Sequence, residues 1–358
     1  MPALRIHAGH RAVAHIARNG LLPGDVSVIP AAAGGPKGLV LGPLDRFIFG
    51  SWLVGSEQEV HLVGASIGAW RMATACLHDP VRAFERLERD YIAQDLAPEP
   101  GRKVPSAAAV SQRFGDNLRL FFGGKVPEIL QHPRFRLHVM TSRGRHILGR
   151  EHRLGTPLGY LGAFVTNAVN RRAMGAWLER VIFSTGALGA LPFATDDFPT
   201  RQFALSPINF NDVLQASCSI PFMLKAVHDI EGAPAGAYWD GGITDYHLHL
   251  NYAHRPQGLV LYPHFQQAVV PGWLDKSLTW RHGVTAFLDR TVVLAPDPDW
   301  VRSLPGGKLP DRSDFLRHAG DLAGRTRAWN AAVSASGQLA EEFAEWLRRP
   351  DPARVLPL

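Results

Sequence analysis

The sequence predicts an α/β fold with a central, mostly parallel sheet and helices on its faces. Twice in the opening part, at 25–48 and 59–77, a short β-branched run passes through a tight glycine turn into a segment of helical periodicity. Such alternation is typical of parallel sheets, because each helix returns the chain to the start of the next strand. With 358 residues, 46% of them hydrophobic and 20% charged, the chain has the composition of a packed globular protein. We therefore expect one domain over 1–358.

The elements follow from the same patterns. The predicted strands are short and apolar, and they lie at 25–30, 59–63, 134–142, 181–184, 237–239, 258–262 and 291–295. The predicted helices have apolar positions spaced by three and four, and they lie at 39–48, 69–77, 80–94, 170–180, 209–217 and 313–349. A break in the last helical region is expected near Gly337. The C-terminal part is therefore expected to be helical.

Between Asp95 and about Gly175 the pattern loosens, because prolines and glycines interrupt it. We interpret this stretch as an excursion from the sheet that could form a lid. Its segment Pro157–Val169 is apolar but too short to span a bilayer. This segment is expected to be a buried helix or, alternatively, a lid or an interfacial contact for lipid.

Charge and cysteine content limit the kinds of partner and the cellular compartment that we expect. The 38 basic and 32 acidic residues give a net charge of +6, which favours anionic partners such as a lipid surface or a phosphate-bearing substrate. No block of basic residues indicates nucleic-acid binding. Cys76 and Cys218 are the only cysteines and do not make a disulfide framework. Since neither a signal pattern nor a spanning run of about 18 apolar residues is present, we expect a cytoplasmic protein, peripheral at membranes at most.

A serine lies in the glycine turn between the second predicted strand and its helix. Gly-Ala-Ser-Ile-Gly at 64–68 fits the pattern G-x-S-x-G in the strand–turn–helix context of a nucleophile elbow. Gly64 and Gly68 leave space for the strained turn that exposes Ser66. The helix that follows would add positive potential near the Ser66 hydroxyl. Ser66 is therefore the candidate nucleophile.

A glycine-rich loop, Gly-Gly-Pro-Lys-Gly, joins the first predicted strand to its helix. Backbone N–H groups in such a loop can converge on a tetrahedral oxyanion. Gly34, Gly35, Lys37 and Gly38 are the candidate residues, and the sequence leaves open which N–H groups donate. Lys37 would add positive charge for an oxyanion or a phosphate group. Neither G-x-x-x-x-G-K-[ST] nor G-x-G-x-x-G is present here, so nucleotide binding is not expected.

A carboxylate ends a later strand. Asp240 follows an apolar run and is followed by Gly241 and Gly242, whose small size would let the carboxylate approach a serine hydroxyl. On its own, an Asp-Gly-Gly sequence is most often a turn. In this sequence Asp240 becomes a candidate for catalysis because it follows the two glycine motifs in chain order.

In this order the three motifs resemble those of the patatin-like phospholipases, and Ala-Ser-Cys-Ser-Ile-Pro-Phe at 216–222 is similar to a segment that precedes the family's aspartate. The resemblance covers roughly 25–265. It implies a patatin-like three-layer α/β/α fold and a Ser66–Asp240 dyad that cleaves fatty-acyl esters through an acyl-enzyme. Phospholipid is the leading substrate class, and no cofactor or metal is expected.

Two alternatives remain at this point. One is an α/β-hydrolase esterase with a histidine base, for which His247 or His264 stands at the usual place in chain order after Asp240. The other is a catalytically silent lipid-binding protein that keeps the fold. Separately, Arg71 in the helix after Ser66 is a candidate head-group contact, although an ion-paired or surface arginine is the simpler interpretation.

Overall fold

A single mixed sheet of eleven strands runs through the computed structural model, which describes residues 1–95, 98–102, 104–254 and 258–358. The strands are β1 (Leu4–Ala8), β2 (Val26–Ala31), β3 (Val60–Ala65), β4 (Phe135–Gly144), β5 (Leu178–Ser184), β6 (Thr200–Ala204), β7 (Val227–His228), β8 (Ala237–Asp240), β9 (Leu259–Pro263), β10 (Thr291–Pro296) and β11 (Val355–Pro357). The helices are α1 (His10–Asn19), α2 (Gly42–Phe47), α3 (Ile67–Ala75), α4 (Pro80–Ile92), α5 (Ala107–Phe122), α6 (Val126–Leu130), α7 (Gly155–Val169), α8 (Phe210–Ser217), α9 (Gly242–Asp245), α10 (Pro298–Ser303), α11 (Ser313–Arg317), α12 (Leu322–Ala335) and α13 (Gly337–Arg348).

The centre of the sheet is parallel. The strand order is β11-β1-β10-β9-β2-β3-β4-β5-β6, and the five strands from β10 to β4 run in the same direction. β1 and β5 lie antiparallel to their neighbours on either side of this block. The prediction of an α/β fold with a mostly parallel sheet is thus confirmed. Because β2 and β3 are parallel neighbours, the turns that follow them emerge at the same edge of the sheet.

The strands of the parallel block are nearly continuous apolar runs because both faces are covered. In each of β2 and β3 all residues but one are buried, and every residue of α3, which packs on β3, is buried as well. The glycines and alanines at the β3–α3 junction make this close approach possible. The first two strand–turn–helix units therefore form the rigid centre of the molecule.

β4 brings the second half of the chain to this centre. β3 pairs with the first part of β4 up to Ala65 opposite Met140. Beyond that point β8 takes over and pairs antiparallel with Thr141–Arg143, while β5 occupies the opposite edge of β4. The residue after β3 and the last residue of β8, which are Ser66 and Asp240, are thereby placed side by side.

The predicted excursion over 95–175 contains part of the sheet itself. β4 lies within this stretch and pairs with three other strands, so only the helices before and after it remain candidates for a cover. Residues 96, 97 and 103 of this stretch lie outside the described residues. A helix predicted at 170–180 was wrong in its second half, where β5 begins at Leu178, because sheet pairing overrides local preference.

The apolar segment 157–169 forms most of α7, and this helix is only half buried. Tyr160 and Ala163 face the interior, where they join a small apolar cluster with Trp239. Leu158 and Val165 are exposed on the opposite side. The expectation of a buried helix is therefore correct for one face only. Within the described ranges, no helix has both the length and the apolarity needed to cross a bilayer.

Candidate active site

Ser66 occupies a strained position between β3 and α3. Its φ of 56° and ψ of −128° lie in a region that non-glycine residues seldom adopt. The flanking glycines are sterically required. A Cβ on Gly64 would lie 2.4 Å from the Ala69 Cα, and one on Gly68 would lie 1.9 Å from the Ala31 carbonyl oxygen. The pentapeptide is therefore a tight turn of the nucleophile-elbow kind.

The Ser66 hydroxyl donates a hydrogen bond directly to Asp240. The distance from Ser66 Oγ to Asp240 Oδ2 is 2.7 Å, and the two residues are only 3% and 5% exposed. The other carboxylate oxygen, Oδ1, accepts the N–H of Gly242 at 2.7 Å. A Cβ on Gly241 would lie 2.1 Å from the Met140 carbonyl oxygen, so this turn too requires glycine. The structure thus brings together the two residues that the sequence nominates.

The C-terminal end of α8, the residues just after it and β4 together fix the backbone of both partners. Ser217 Oγ accepts the N–H of Ser66 at 3.0 Å and donates to the Met140 carbonyl at 2.7 Å. The Asp240 N–H donates to the Ser219 carbonyl at 2.9 Å. Ser142 Oγ donates to the Asp240 carbonyl at the same distance. These bonds hold the backbone on each side of the dyad, so the Oγ–Oδ2 contact does not depend on side-chain rotamers alone.

The environment of Asp240 makes its carboxylate a stronger base than a solvated one. Burial raises the pKa of Asp240 from 3.8 to about 6, against the opposing effects of Arg312, the Ser66 hydroxyl and the Gly242 N–H. A base with a pKa near 6 is ionised at neutral pH and can still accept a proton from a hydroxyl in a transition state. The site therefore has the electrostatics of a nucleophile and its base.

The glycine loop lies against the serine turn and the Asp-Gly-Gly turn. A Cβ on Gly38 would lie 3.4 Å from Ile67 Cγ2, and one on Gly242 would lie 2.7 Å from the Ala33 Cβ. Gly35 has a φ of 57° and begins a 3₁₀ helix. The N–H groups of Gly34 and Gly35 donate to no acceptor among the residues that the structure describes. All three motifs therefore meet at one point of the sheet edge.

Lys37 lies over an aromatic ring rather than in open solvent. Its Nζ is 5.2 Å from the centroid of the Phe265 ring, and this ring occupies the space where a Gly34 side chain would lie. Burial lowers the pKa of Lys37, and the nearby cations Lys276 and Arg312 lower it further. Lys37 is therefore close to the glycine loop and in a positive environment.

Arg71 does not reach the substrate side. It is 3% exposed, and its guanidinium makes two hydrogen bonds of 2.8 Å to the buried carboxylate of Asp45. A head-group contact by Arg71 is not supported by this geometry, because the face of the guanidinium that suits a phosphate is committed to Asp45. Asp45 on α2 is itself completely buried, so its ion pair with Arg71 joins α2 to α3 inside the protein.

The two histidines considered as bases are both structural. His247 and His264 are fully buried, and Nδ1 of each is within hydrogen-bonding distance of a backbone carbonyl, Ala268 and Gln266 respectively. Burial lowers the pKa of His264 to about 3 and that of His247 well below its usual value. In the described part of the chain no histidine bonds to the Ser66 hydroxyl or to the Asp240 carboxylate.

Two neighbours of the dyad were not singled out from the sequence. The Cys218 thiol is buried near the dyad, where burial and the charge of Asp240 raise its pKa. The Arg312 side chain lies over the glycine loop, with its Nε 3.1 Å from the position of a Gly35 Cβ. Cys218 belongs to a segment already noted for its pattern, whereas nothing in the local sequence marks Arg312.

Comparison with known protein families and with curated proteins finds no match for this chain. Its function must therefore be argued from the geometry of the site.

Proposed function

We propose that this chain is a serine carboxyl-ester hydrolase of the patatin-like phospholipase kind, a single three-layer α/β/α domain that cleaves fatty-acyl esters. The observation that carries the proposal is the 2.7 Å hydrogen bond from Ser66 Oγ to Asp240 Oδ2 at a strained elbow. A buried hydroxyl held directly on a carboxylate of raised pKa is an activated nucleophile. A turn with a purely structural serine has no need of either feature.

The chemistry follows from these two groups. Asp240 Oδ2 takes the hydroxyl proton as Ser66 Oγ attacks the ester carbonyl and forms a tetrahedral intermediate. That intermediate collapses when the C–O bond to the alcohol breaks and Asp240 returns the proton to the leaving oxygen. Asp240 then deprotonates a water molecule, which attacks the acyl-enzyme and releases the fatty acid, and the proton returns to Ser66 Oγ. A single carboxylate serves as base and acid in both halves.

The oxyanion of each tetrahedral intermediate needs donors that are already in place. The unpaired N–H groups of Gly34 and Gly35 in the loop against the serine turn suit this role. Gly38 packs on Ile67 and fixes the loop, and Lys37 contributes positive potential. The N-terminal end of α3 supports the charge at Ser66.

A lipid substrate is favoured by the surface beside the site. α7 contains no charged residue, and its exposed side presents an apolar stripe of Leu154, Leu158, Leu161, Val165 and Val169. Exposed basic residues stand at its two ends, at Arg153 and Arg172. An apolar helix face flanked by cations is typical of peripheral contact with anionic lipid. The buried side of α7 packs on Trp239, next to Asp240, so such contact would bring the site to the bilayer.

The test is labelling with a fluorophosphonate probe together with p-nitrophenyl ester hydrolysis across chain lengths. We expect the native chain to be labelled at Ser66 and to hydrolyse the esters. Ser66→Ala abolishes both reactions, and Asp240→Asn lowers kcat/KM by at least about 10³-fold. Ser51→Ala and Asp116→Asn, which change exposed residues of the same types, serve as matched controls and keep full activity.

The outcomes separate the alternatives. Folded native protein that neither labels nor turns over would favour the catalytically silent lipid-binding protein. Loss of acylation in His247→Ala or His264→Ala with retained structure, together with active Asp240→Asn, would establish a histidine base and refute the dyad.

A further inference from the structure

Three cations from three different parts of the chain lie at the glycine loop, and one of them, Lys37, belongs to the loop itself. Arg312 precedes α11 and lies against Gly35, and Lys37 lies over the Phe265 ring beside Gly34. The third, Lys276, has its Nζ 5.4 Å from the centroid of the Tyr246 ring. The Tyr246 carbonyl in turn accepts the N–H of Ala33, immediately before the loop.

None of these three cations forms an ion pair with a carboxylate within the described ranges. The nearest acidic residues are already engaged, because Lys308 binds Asp311 at 2.8 Å and Asp314 at 2.7 Å. The three cations also repel one another. Arg312 lowers the pKa of both Lys37 and Lys276, in addition to the lowering that burial causes. Lys37 and Arg312 are partly buried and Lys276 is exposed. Positive charges grouped in this way without ion pairs repel one another unless an anion binds among them.

One member of the group, Arg312, acts directly on the dyad. Arg312 acts on the charge of Asp240 and holds its pKa below the value that burial alone would give. Its side chain also fills the space above Gly35, where any larger residue would meet the guanidinium. An anion held by these cations would therefore lie beside the candidate oxyanion donors, a few bonds from an ester carbonyl positioned at Ser66.

We propose that Lys37, Lys276 and Arg312 form an anion site that selects ester substrates carrying a phosphate group close to the scissile bond. This inference rests on the proposed esterase function and identifies residues that recognise the substrate. Phosphate fits the chemistry best, because a planar guanidinium binds two of its oxygens at once and two ammonium groups neutralise the remaining charge. Arg312 is the main determinant, since its fork has no other partner among the described residues.

The experiment compares two soluble monomeric esters that differ only in the anion, 1-hexanoylglycerol 3-phosphate and 1-hexanoylglycerol. We expect the native chain to prefer the phosphate ester. Arg312→Gln lowers this preference, the ratio of the two kcat/KM values, by about ten-fold or more, mainly through KM on the phosphate ester. Lys276→Gln lowers the same ratio and keeps the proposal testable if Arg312→Gln fails to fold. Arg317→Gln, an exposed arginine on α11, is the matched control and leaves the ratio unchanged.

A second readout distinguishes binding from a structural role. Inorganic phosphate should inhibit hydrolysis of the neutral ester competitively in the native chain, with Ki raised in Arg312→Gln. An unchanged ratio and unchanged phosphate inhibition would overturn the proposal. If Ser66 proved inactive on every ester, calorimetric titration with inorganic phosphate would still test the site. Phosphate binding that is lost in Arg312→Gln would support it, and absence of binding would refute it.

The monomeric substrates also exclude a membrane origin of the effect. If the cations recognised a bilayer surface instead, the preference between the two monomeric esters would be absent, while Arg312→Gln would weaken binding to anionic vesicles. That result would contradict a substrate phosphate site.

Discussion

Burial of Asp240 makes its carboxylate more basic and also lowers the stability of the fold at neutral pH. Its carboxylate is buried, and its pKa rises from 3.8 to about 6 on folding. The folded chain therefore binds this proton more tightly than the unfolded chain. The Asp240 contribution to the free energy of unfolding decreases as pH rises from about 4 to about 6, and above that the full cost of the buried charge is present. The ionised form that costs stability is the form that accepts the serine proton in the proposed mechanism.

The same pKa predicts a pH profile. The proposed mechanism requires the ionised Asp240 carboxylate, so kcat/KM for a neutral ester should rise with pH through a midpoint near 6 and then level off. The measurement is the rate over the acid limb for the native chain and for Arg312→Gln. Because Arg312 lowers the pKa of Asp240, its removal should move the midpoint to higher pH.

A midpoint that stayed in place in Arg312→Gln, or a rate that fell rather than rose between pH 5 and 7, would argue against Asp240 as the base. Arg317→Gln provides the control for a general loss of positive charge.

At the scale of elements, α7 is unusual because it exposes an apolar face although it lies beside the buried dyad. The sequence predicted an apolar helix here. It could not predict that only one side of this helix is buried, because periodicity does not reveal what covers each face. Its interior side depends on a partner, Trp239, that is distant in sequence. The exposed leucines and valines belong to the surface that we propose contacts lipid.

Polar substitutions on this face should weaken that contact. In the double variant Leu161→Gln/Val165→Gln, we expect binding to phosphatidylglycerol vesicles in a sedimentation assay to fall about ten-fold, because two apolar side chains no longer enter the interface. Hydrolysis of a soluble short-chain ester should stay within about two-fold. Leu120→Gln, which changes an exposed leucine on α5, is the matched control. Equal vesicle binding by all three proteins would show that α7 is not the contact surface.

Local patterns predicted the central elements well and the peripheral ones poorly. β2, β3, β4 and β8 were all expected, because buried β-branched runs bounded by glycine turns are strong signals. β1 and β11 were not anticipated, since these short strands at one end of the sheet owe their conformation to pairing rather than to composition. In the candidate site, the motif residues were found from spacing. Arg312 was not, because only tertiary contact brings it to the glycine loop.

At the scale of the whole molecule, a buried network of ion pairs between side chains lies next to the Asp-Gly-Gly turn. Arg180 on β5 is fully buried and bonds to Asp245 at the end of α9, with 2.8 Å from Nε to Oδ2. The same guanidinium makes two bonds to Asp197. β5 and the segment just before β6 are thereby tied to α9, the short helix that follows Asp240.

Breaking this network should destabilise the fold strongly. Arg180→Met leaves the buried Asp245 carboxylate without its main partner, and we expect the free energy of unfolding in urea to fall by about 3–5 kcal/mol. The exposed pair of Arg119 and Asp116 is the control, since Arg119→Met should cost no more than about 1 kcal/mol. A loss in Arg180→Met as small as that of Arg119→Met would mean that the network carries little of the stability.

In the proposed mechanism, the order in which strands are added to β4 determines when the serine becomes reactive. β3 and the serine turn are made early in synthesis, whereas β8, which completes the same edge of β4, brings Asp240, 174 residues after Ser66. A nascent chain that ends before β8 has its hydroxyl but no proton acceptor beside it. If the proposed dyad is the catalytic unit, a chain still on the ribosome has no activated serine until Asp240 has been added and docked.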